Sequence, residues 1–376
     1  MKIFFTAVLS FLILIFVVVA GKELYDVYIE DKPKVKREEK KEEIQKISLV
    51  MVGDALIHKS VYMDAKTDDN NYDFRYIFEY IEPIIKTHDL AFYNQETIIG
   101  GKQLGFSSYP RFNTPEEFAD AMVEIGFNVV SLANNHSLDK GENGIINSIN
   151  YWKNKNVLTA GTYLSIEDKE NKEKKEKNGI SYTLLAYTTN TNGLHVPDGK
   201  EYLVNVFNYE KAKDDIIRLR DKVDLLLVSM HWGDEYTNEP NKQQKQIAHF
   251  LASLNVDIII GHHPHVIQPI EYIEGTLVFY SLGNFLSAQI GVDRLTGMIC
   301  SLDISKITNE GQVKINFSDI NVNLIYTYYR DWKDFKIIPF DMITYEQLGN
   351  YEYIYEKYSS IVTSLEDSVK VANLNE

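Results

Sequence analysis

Short apolar runs, each ending in a residue able to bind a metal or carry a proton, restrict the fold of this chain more than any other feature. Such runs, separated by amphipathic stretches, call for a layered α/β domain. The strands expected from this pattern are 48–52, 90–93, 129–132, 182–186, 225–229, 258–260 and 277–280. A helix is expected over 118–125. There Thr114-Pro115-Glu116-Glu117 offers an N-cap, a proline at the first helical position and a capping-box glutamate, and Gly126 offers a stop. Further helices are expected at 144–153, 209–220 and 242–254.

The strand ends carry the chemistry, as they do in α/β sheets generally. The first strand runs into Gly53-Asp54, the second into Asn94-Gln95-Glu96, and the third into Asn134-Asn135-His136 with Asp139 three residues on. The strand at 225 delivers His231-Trp232-Gly233-Asp234-Glu235, and the one at 258 ends in Gly261-His262-His263-Pro264-His265. Five of the nine histidines, His136, His231, His262, His263 and His265, thus follow apolar strands directly. Imidazole nitrogen with carboxylate and amide oxygen suits a divalent transition metal such as Mn, Fe, Zn or Co, and the lack of cysteine in the set argues against a thiolate-held structural zinc. If the segment after 260 stays extended, alternation puts His263 and His265 on one side, with Pro264 stiffening the link.

Taken singly, these residues have plainer readings. Asp54 could cap a helix, Glu96 could be a surface carboxylate, Asn135 a turn residue, and His231 or His136 structural. Their succession at one strand end after another points instead to a composite metal site. His58, His88, His195 and His249 are read as incidental, Cys300 as a small buried residue, and the tyrosines around Tyr326 and Tyr351 as packing groups.

Composition narrows the class. At 376 residues and 44% hydrophobic, the chain can bury the core of one large α/β domain or of two modest ones. A net charge of -15, from 54 acidic against 39 basic side chains, repels nucleic acid and excludes it as a partner. The single cysteine permits no intrachain disulfide.

The run from Ile3 to Ala20 is apolar except for Thr6 and Ser10. As a helix it is roughly 27 Å long, against about 30 Å of bilayer hydrocarbon, and it is expected to enter a membrane. It is read as a transmembrane anchor over 1–21; a cleavable signal peptide ending near Val18-Val19-Ala20 is the rival, disfavoured because its apolar core is usually only about 7–15 residues. Residues 22–46 are read as a charged linker, and Glu167 to Lys177 as a solvated surface loop.

Six stretches together resemble the CapA family of poly-γ-glutamate capsule proteins, whose domain is similar to calcineurin-like metallophosphoesterases. They are Val52-Gly53-Asp54, Asn94-Gln95-Glu96, Ala133-Asn134-Asn135-His136 with Asp139 and Gly141, His231 to Glu235, His263-Pro264-His265-Val266, and Tyr280-Ser281-Leu282-Gly283-Asn284-Phe285. The resemblance covers about 47–285. It implies a four-layer α-β-β-α sandwich over 47–290, completed by C-terminal strands and a terminal helix within 291–376. It also implies metal ligation of one or two ions by Asp54, Glu96, Asn135, His231, His263 and His265. His136 falls where those enzymes place an anion-stabilising or proton-donating catalytic histidine, with Asp139 as its orienting partner. His262 falls at a position expected to vary.

Two departures count. The phosphoesterase Asp-x-His is broken here by Leu56, and Gly-His-x-His becomes Gly261-x-His263-x-His265, so a single metal is better supported than a full dinuclear centre. Hydrolysis does not follow from the fold. The length of the apolar run and the charged stretch after it lead to the expectation of a bacterial cell-membrane protein with one span, a cytoplasmic N-terminus and an extracytoplasmic domain. On the resemblance, its role would lie in poly-γ-glutamate synthesis or export, as a metal-dependent hydrolase or transferase acting on the polymer. Its partners would be poly-γ-glutamate or another envelope polymer and the membrane-embedded capsule synthesis or export proteins. A metal-dependent phosphoesterase acting on an envelope phosphoester and a non-catalytic polymer-binding assembly component stay open as alternatives.

Overall fold

The computed structural model describes residues 1–30 and 43–374. Two units follow from the chain's own contacts, 1–42 and 43–376. The first contains the helix Lys2–Glu30, of which Ile3–Ile29 is long and apolar enough to cross a membrane. The consecutive residues Leu12, Ile13, Leu14 and Ile15 are all exposed on it, so its apolar residues surround the axis rather than forming one stripe. The helix continues ten residues beyond Ala20, so the start of the expected 22–46 linker is helical. Residues 31–42 of that linker lie outside the described residues, and Glu43 already belongs to a strand.

The second unit is built on two sheets. The nine-stranded sheet runs Lys333–Pro339, Gln312–Arg330, Thr296–Asn309, Glu43–Leu56, Leu90–Asn94, Val129–Ser131, Leu158–Ala160, with Asn284–Ser287 also beside Glu43–Leu56 and Lys370–Val371 beside Gln312–Arg330. From Glu43–Leu56 through Leu158–Ala160 its strands are parallel, while the long C-terminal hairpins are antiparallel. The six-stranded sheet runs Lys175–Lys177, Ile180–Thr188, Leu225–His231, Ile258–His262, Thr276–Phe279, Ile270–Ile273.

Alternation within the strands produces the layers. Leu49, Met51, Phe92 and Val129 from the first sheet share one core with Leu184, Leu227, Ile260 and Phe279 from the second. Their neighbours Val50, Val52, Ala91 and Val130 face the other way, onto Phe118 and Met122 of the helix Glu116–Glu124 and Trp152 of Gly141–Trp152. On the far side of the second sheet, Leu185, Val228, Ile259 and Val278 pack on Ile216 and Leu219 of Tyr209–Arg220 and on Ile247 and Leu251 of Lys242–Ala252. The result is the four-layer α-β-β-α sandwich that the resemblance implied. Strands covered on both faces explain why they read as near-continuous apolar runs.

Several local expectations give way. Glu167 to Lys177 is not a plain loop: Ile166–Glu170 is a short helix capped by Ser165, and Lys175–Lys177 is an edge strand paired antiparallel with Ile180–Thr188. Its charged side chains remain at the surface, which suits an edge strand. Thr114 does not cap the helix Glu116–Glu124; its hydroxyl bonds Thr97 Oγ1 at 2.7 Å instead.

Backbone approaches where no side chain fits position the chemistry. A Cβ on Gly53 would sit 1.8 Å from the Gly283 carbonyl oxygen, and one on Gly261 would sit 2.0 Å from that of Tyr280. Both glycines lie just upstream of the candidate ligands. We expect Gly53→Ala to cost about 1–3 kcal/mol through forced backbone shifts, read as a lower urea midpoint; an unchanged midpoint would show that the strands are not held this close.

Candidate metal centre

Register brings the polar strand ends together. Across the first sheet Asp54 pairs with Asn94 on one side and with Asn284 on the other, and Asn94 pairs in turn with Ser131. Across the second, His231 pairs with His262. Glu96, Asn135, His263 and His265 follow these strand ends in the connecting loops.

Asp54 is fully buried and crowded with donors. Its Oδ1 accepts from Asn94 Nδ2 at 2.8 Å, its Oδ2 accepts from the His263 backbone N–H at 3.2 Å, and His265 Nδ1 lies 3.2 Å from Oδ2. His262 Nδ1 lies 3.3 Å from Oδ1, close enough for electrostatic attraction but not aligned as a hydrogen bond. Burial pushes the Asp54 carboxyl up, but the rings of His262 and His265 outweigh it and hold the group well below the usual carboxylate range.

Glu96 is the opposite case. It too is fully buried, yet neither carboxylate oxygen has a hydrogen-bond partner. Oε1 faces His231 Nε2 at 3.7 Å and His265 Nε2 at 3.6 Å. Burial, only partly countered by His265 and reinforced by Asp54 and Glu235, drives its pKa well above the ordinary value. An ionised carboxylate shut away from water requires a counter-charge.

The imidazoles complete the set. His231 Nε2 and Asn135 Oδ1 are 3.0 Å apart, and the rings of His231 and His263 have centroids 4.7 Å apart. Burial and neighbouring histidines lower His231 well below its usual pKa and His263 to about 4, which favours the neutral, metal-binding imidazole. His263 Nδ1 has no hydrogen-bond partner. Burial also opposes charge on His265, but Glu96 and Asp54 prevail and raise it to about 9. His265 Nδ1 is also 3.0 Å from Asn284 Oδ1, which orients the ring.

His263 and His265 do not meet by strand alternation, as an extended segment would have required. Both adopt left-handed backbone, with φ of 96° and 57°, and a turn brings their rings to within 5.9 Å. Non-glycine residues held in this region cost roughly 1–3 kcal/mol each and cluster at functional sites.

His136 and Asp139 form a separate pair beside the centre. His136 Nδ1 contacts Asp139 Oδ2 at 2.7 Å, and that oxygen also accepts from the Phe112 backbone N–H at 2.6 Å. The Phe112 ring meets His136 edge-on at 4.7 Å. Asn192, on an exposed loop, reaches over both groups: its Oδ1 accepts from Asn135 Nδ2 at 3.3 Å and its Nδ2 lies 3.5 Å from His136 Nε2.

The residues fit a divalent cation. Glu96, His231 and His263 present ligand atoms within 4.8 Å of one another, as do Asp54, Glu96 and His265. Both triads contain Glu96, whose two oxygens lack any other partner. Sequence reasoning missed four supports of this arrangement: His262, Asn94, Asn192 and Asn284. The His262 ring is buried against Asp54 and stacks on Phe92. Asn94 and Asn284 stood inside the motifs that carried the resemblance, but their register with Asp54 was not readable there. His58, half-buried against Phe112, and His195, exposed beside Asp198, join neither triad.

Replacing His263 or His265 with Ala is expected to strip bound metal while leaving most of the fold, because the strands carry their own apolar packing. Elemental analysis with circular dichroism reads both. Glu96→Gln should weaken metal binding at least as much as loss of an outer hydrogen-bonding partner does, about 10- to 100-fold; unaltered metal content would remove Glu96 from the ligand set.

The sequence profile of the bacterial capsule synthesis protein family PGA_cap matches residues 48–289. The PGA biosynthesis protein CapA of Bacillus subtilis is 31% identical over 257 residues, covering 65% of this chain and 64% of the relative. The capsule biosynthesis protein CapA of Bacillus anthracis is 29% identical over 258 residues, covering 66% of this chain and 62% of the relative. The matches therefore span somewhat less than two thirds of either relative. Among solved structures, the calcineurin-like phosphoesterase YfkN from Bacillus subtilis aligns over 75% of this chain and 91% of its own, at 13% identity and a TM-score of 0.43.

Proposed function

Because the chain belongs to the bacterial capsule synthesis protein family PGA_cap, we propose that it serves poly-γ-glutamate synthesis or export as a membrane-anchored, metal-dependent hydrolase or transferase acting on the polymer outside the cell membrane. The observation that supports a metal-dependent site most strongly is Glu96, a fully buried carboxylate whose two oxygens lack hydrogen bonds and which faces His231 and His265. The ligand set is Asp54, Glu96, Asn135, His231, His263 and His265.

A divalent cation held there would supply Lewis acidity and an acidified water. The chain's own groups govern the proton. With Asp139 Oδ2 at 2.7 Å, His136 Nδ1 carries the hydrogen it donates to that carboxylate, leaving Nε2 on the opposite edge of the ring. Protonated there, Nε2 is a donor to a departing amine or hydroxyl, and Asp139 stabilises the resulting charge on the ring. Phe112 fixes the dyad twice, by its backbone N–H on Asp139 and by its ring against His136. Removal of the leaving group therefore belongs to the His136 dyad, and activation of the attacking group to the six-residue centre.

Complementation of capsule-deficient cells tests this division. His136→Ala should keep its metal but lower polymer processing by about 10² to 10⁴, with no rescue by added metal, whereas the Glu96→Gln defect should be partly restored by excess metal. Normal polymer amount and chain length from both variants, at wild-type expression, would replace the enzyme with a polymer-binding assembly component.

The helix Lys2–Glu30 supports attachment to the membrane, and the proposal puts the domain outside. External protease on intact cells should release a fragment beginning between about Lys22 and Lys46. A domain protected until the membrane is opened would reverse the orientation.

A further inference from the structure

A cavity of about 220 Å³ lies at the lateral edge of the sandwich, and none of the six candidate metal ligands lines it. One wall is Leu158–Ala160, the last strand of the nine-stranded sheet, and another is Leu184 of the strand Ile180–Thr188. The end of the helix Gly141–Trp152 and the segment from Thr162 to Glu173 close it. At roughly 30 Å³ per water this volume holds about seven waters, room for one molecule of amino-acid size and not for a folded segment or a polymer strand.

The lining is rich in donors that nothing in the protein accepts. Lys172 Nζ reaches the Tyr163 hydroxyl at 2.8 Å and lies 4.0 Å from the centre of that ring, and among the described residues no carboxylate forms an ion pair with it. Burial lowers its amine to about 8, and the attraction of Asp215 only partly offsets this. The Tyr163 oxygen accepts from Lys172 and from the Gly161 N–H at 3.2 Å, so its own hydrogen is left to donate. The indole N–H of Trp152 and the hydroxyl of Thr162 are buried without a hydrogen-bond partner. The acids on the same lining are engaged elsewhere: Asp168 Oδ2 accepts from the Leu164 N–H at 2.8 Å, and Glu173 pairs with Lys175 at 3.4 Å. A largely buried ammonium that shares a cavity with an unused indole N–H and two hydroxyls is short of an anionic acceptor.

We propose that this cavity binds one small carboxylate of amino-acid size, whose oxygens accept from Lys172, Trp152 and Thr162. A carboxylate suits the cavity better than phosphate because Asp168 and Glu173 share the lining: a dianion meets two like charges there, whereas the ammonium of an amino acid meets two partners. The inference stands on this cavity and not on the metal-centre reading. Its position gives it a bearing on that centre all the same. Thr162 also lines, with Glu96 and Asn134, a void of about 10 Å³. The Ala160 carbonyl accepts from the Leu132 N–H at 2.9 Å, and Gly161, at φ 113°, lies so near Ala133 that a Cβ on it would be 2.5 Å from the Ala133 Cβ. An occupant of the cavity therefore rests against the strand that backs the turn carrying Asn135 and His136.

The test is isothermal titration of L-glutamate into the full-length chain in detergent, with inorganic phosphate titrated in parallel. Wild type is expected to bind one glutamate per chain. Lys172→Met is expected to weaken binding about 10- to 100-fold, and Trp152→Phe, which keeps an aromatic ring and removes the N–H, about 2- to 10-fold. Lys174→Met, which removes an exposed lysine two residues on, and His263→Ala, which disables the metal centre, are expected to bind glutamate as wild type does. No glutamate bound by wild type, phosphate bound as tightly as glutamate or more so, or equal weakening by Lys172→Met and Lys174→Met would each overturn the assignment. Binding lost in His263→Ala but kept in Lys172→Met would move the carboxylate to the metal centre and overturn it too. A chain that binds glutamate as expected and no metal would overturn the metal-centre reading alone.

Discussion

A carboxyl without hydrogen bonds or water ionises in a protein interior only beside a positive charge, and the site is arranged around one such group, Glu96. Burial opposes charge on the imidazoles around it, while His265, whose Nε2 lies 3.6 Å from Glu96, is driven toward the charged form by Glu96 and Asp54 together. His231 is held neutral by burial and shares its Nε2 with Asn135 Oδ1. His265 is tied through Nδ1 to Asp54 and Asn284. A divalent cation would neutralise Glu96, which otherwise shares the His265 imidazole with Asp54, and would give His231 and His263, both pushed toward the neutral form, an electrophile.

The fold explains why such a group is there at all. Two sheets packed through Leu49, Met51, Phe92, Leu227, Ile260 and Phe279 bring their strand ends to a common edge. The register that pairs Asp54 with Asn94 and Asn284, and His231 with His262, sets the spacing of the ligands before any loop is considered. Gly53 and Gly261 then allow backbone crossings too close for a side chain, immediately upstream of Asp54 and the histidine turn. Stability of the sandwich and geometry of the site are thus one problem: the apolar residues that hold the sheets together also hold the candidate ligand atoms within 4.8 Å of one another.

How much of this could be read from the residues follows from the same physics. Strands buried on both faces announce themselves as apolar runs, so Leu90–Asn94 and Leu225–His231 were legible to within one or two residues. The helix Tyr209–Arg220 was legible to the residue from its amphipathic spacing, and the structure adds Asn208 as its cap. The strand Gln312–Arg330 was harder, since its exposed half alternates with polar residues and resembles a loop. In the site, residue types at strand ends identified the candidate ligands. The left-handed turns at His263 and His265 and the support of Asp54 by Asn94 and His262 depend on which loops meet in space, and no local pattern encodes that.

The central claim is that Glu96 is a cation ligand and not a carboxyl kept neutral by a proton. Anomalous diffraction from crystals of the protein grown with Mn²⁺ addresses it directly. The account predicts an anomalous peak in contact with Glu96, on the side facing His231 or His265, with the carboxylate oxygens turned toward it. Crystals that show no peak there at saturating Mn²⁺, with Glu96 in a hydrogen bond as a neutral acid, would contradict it.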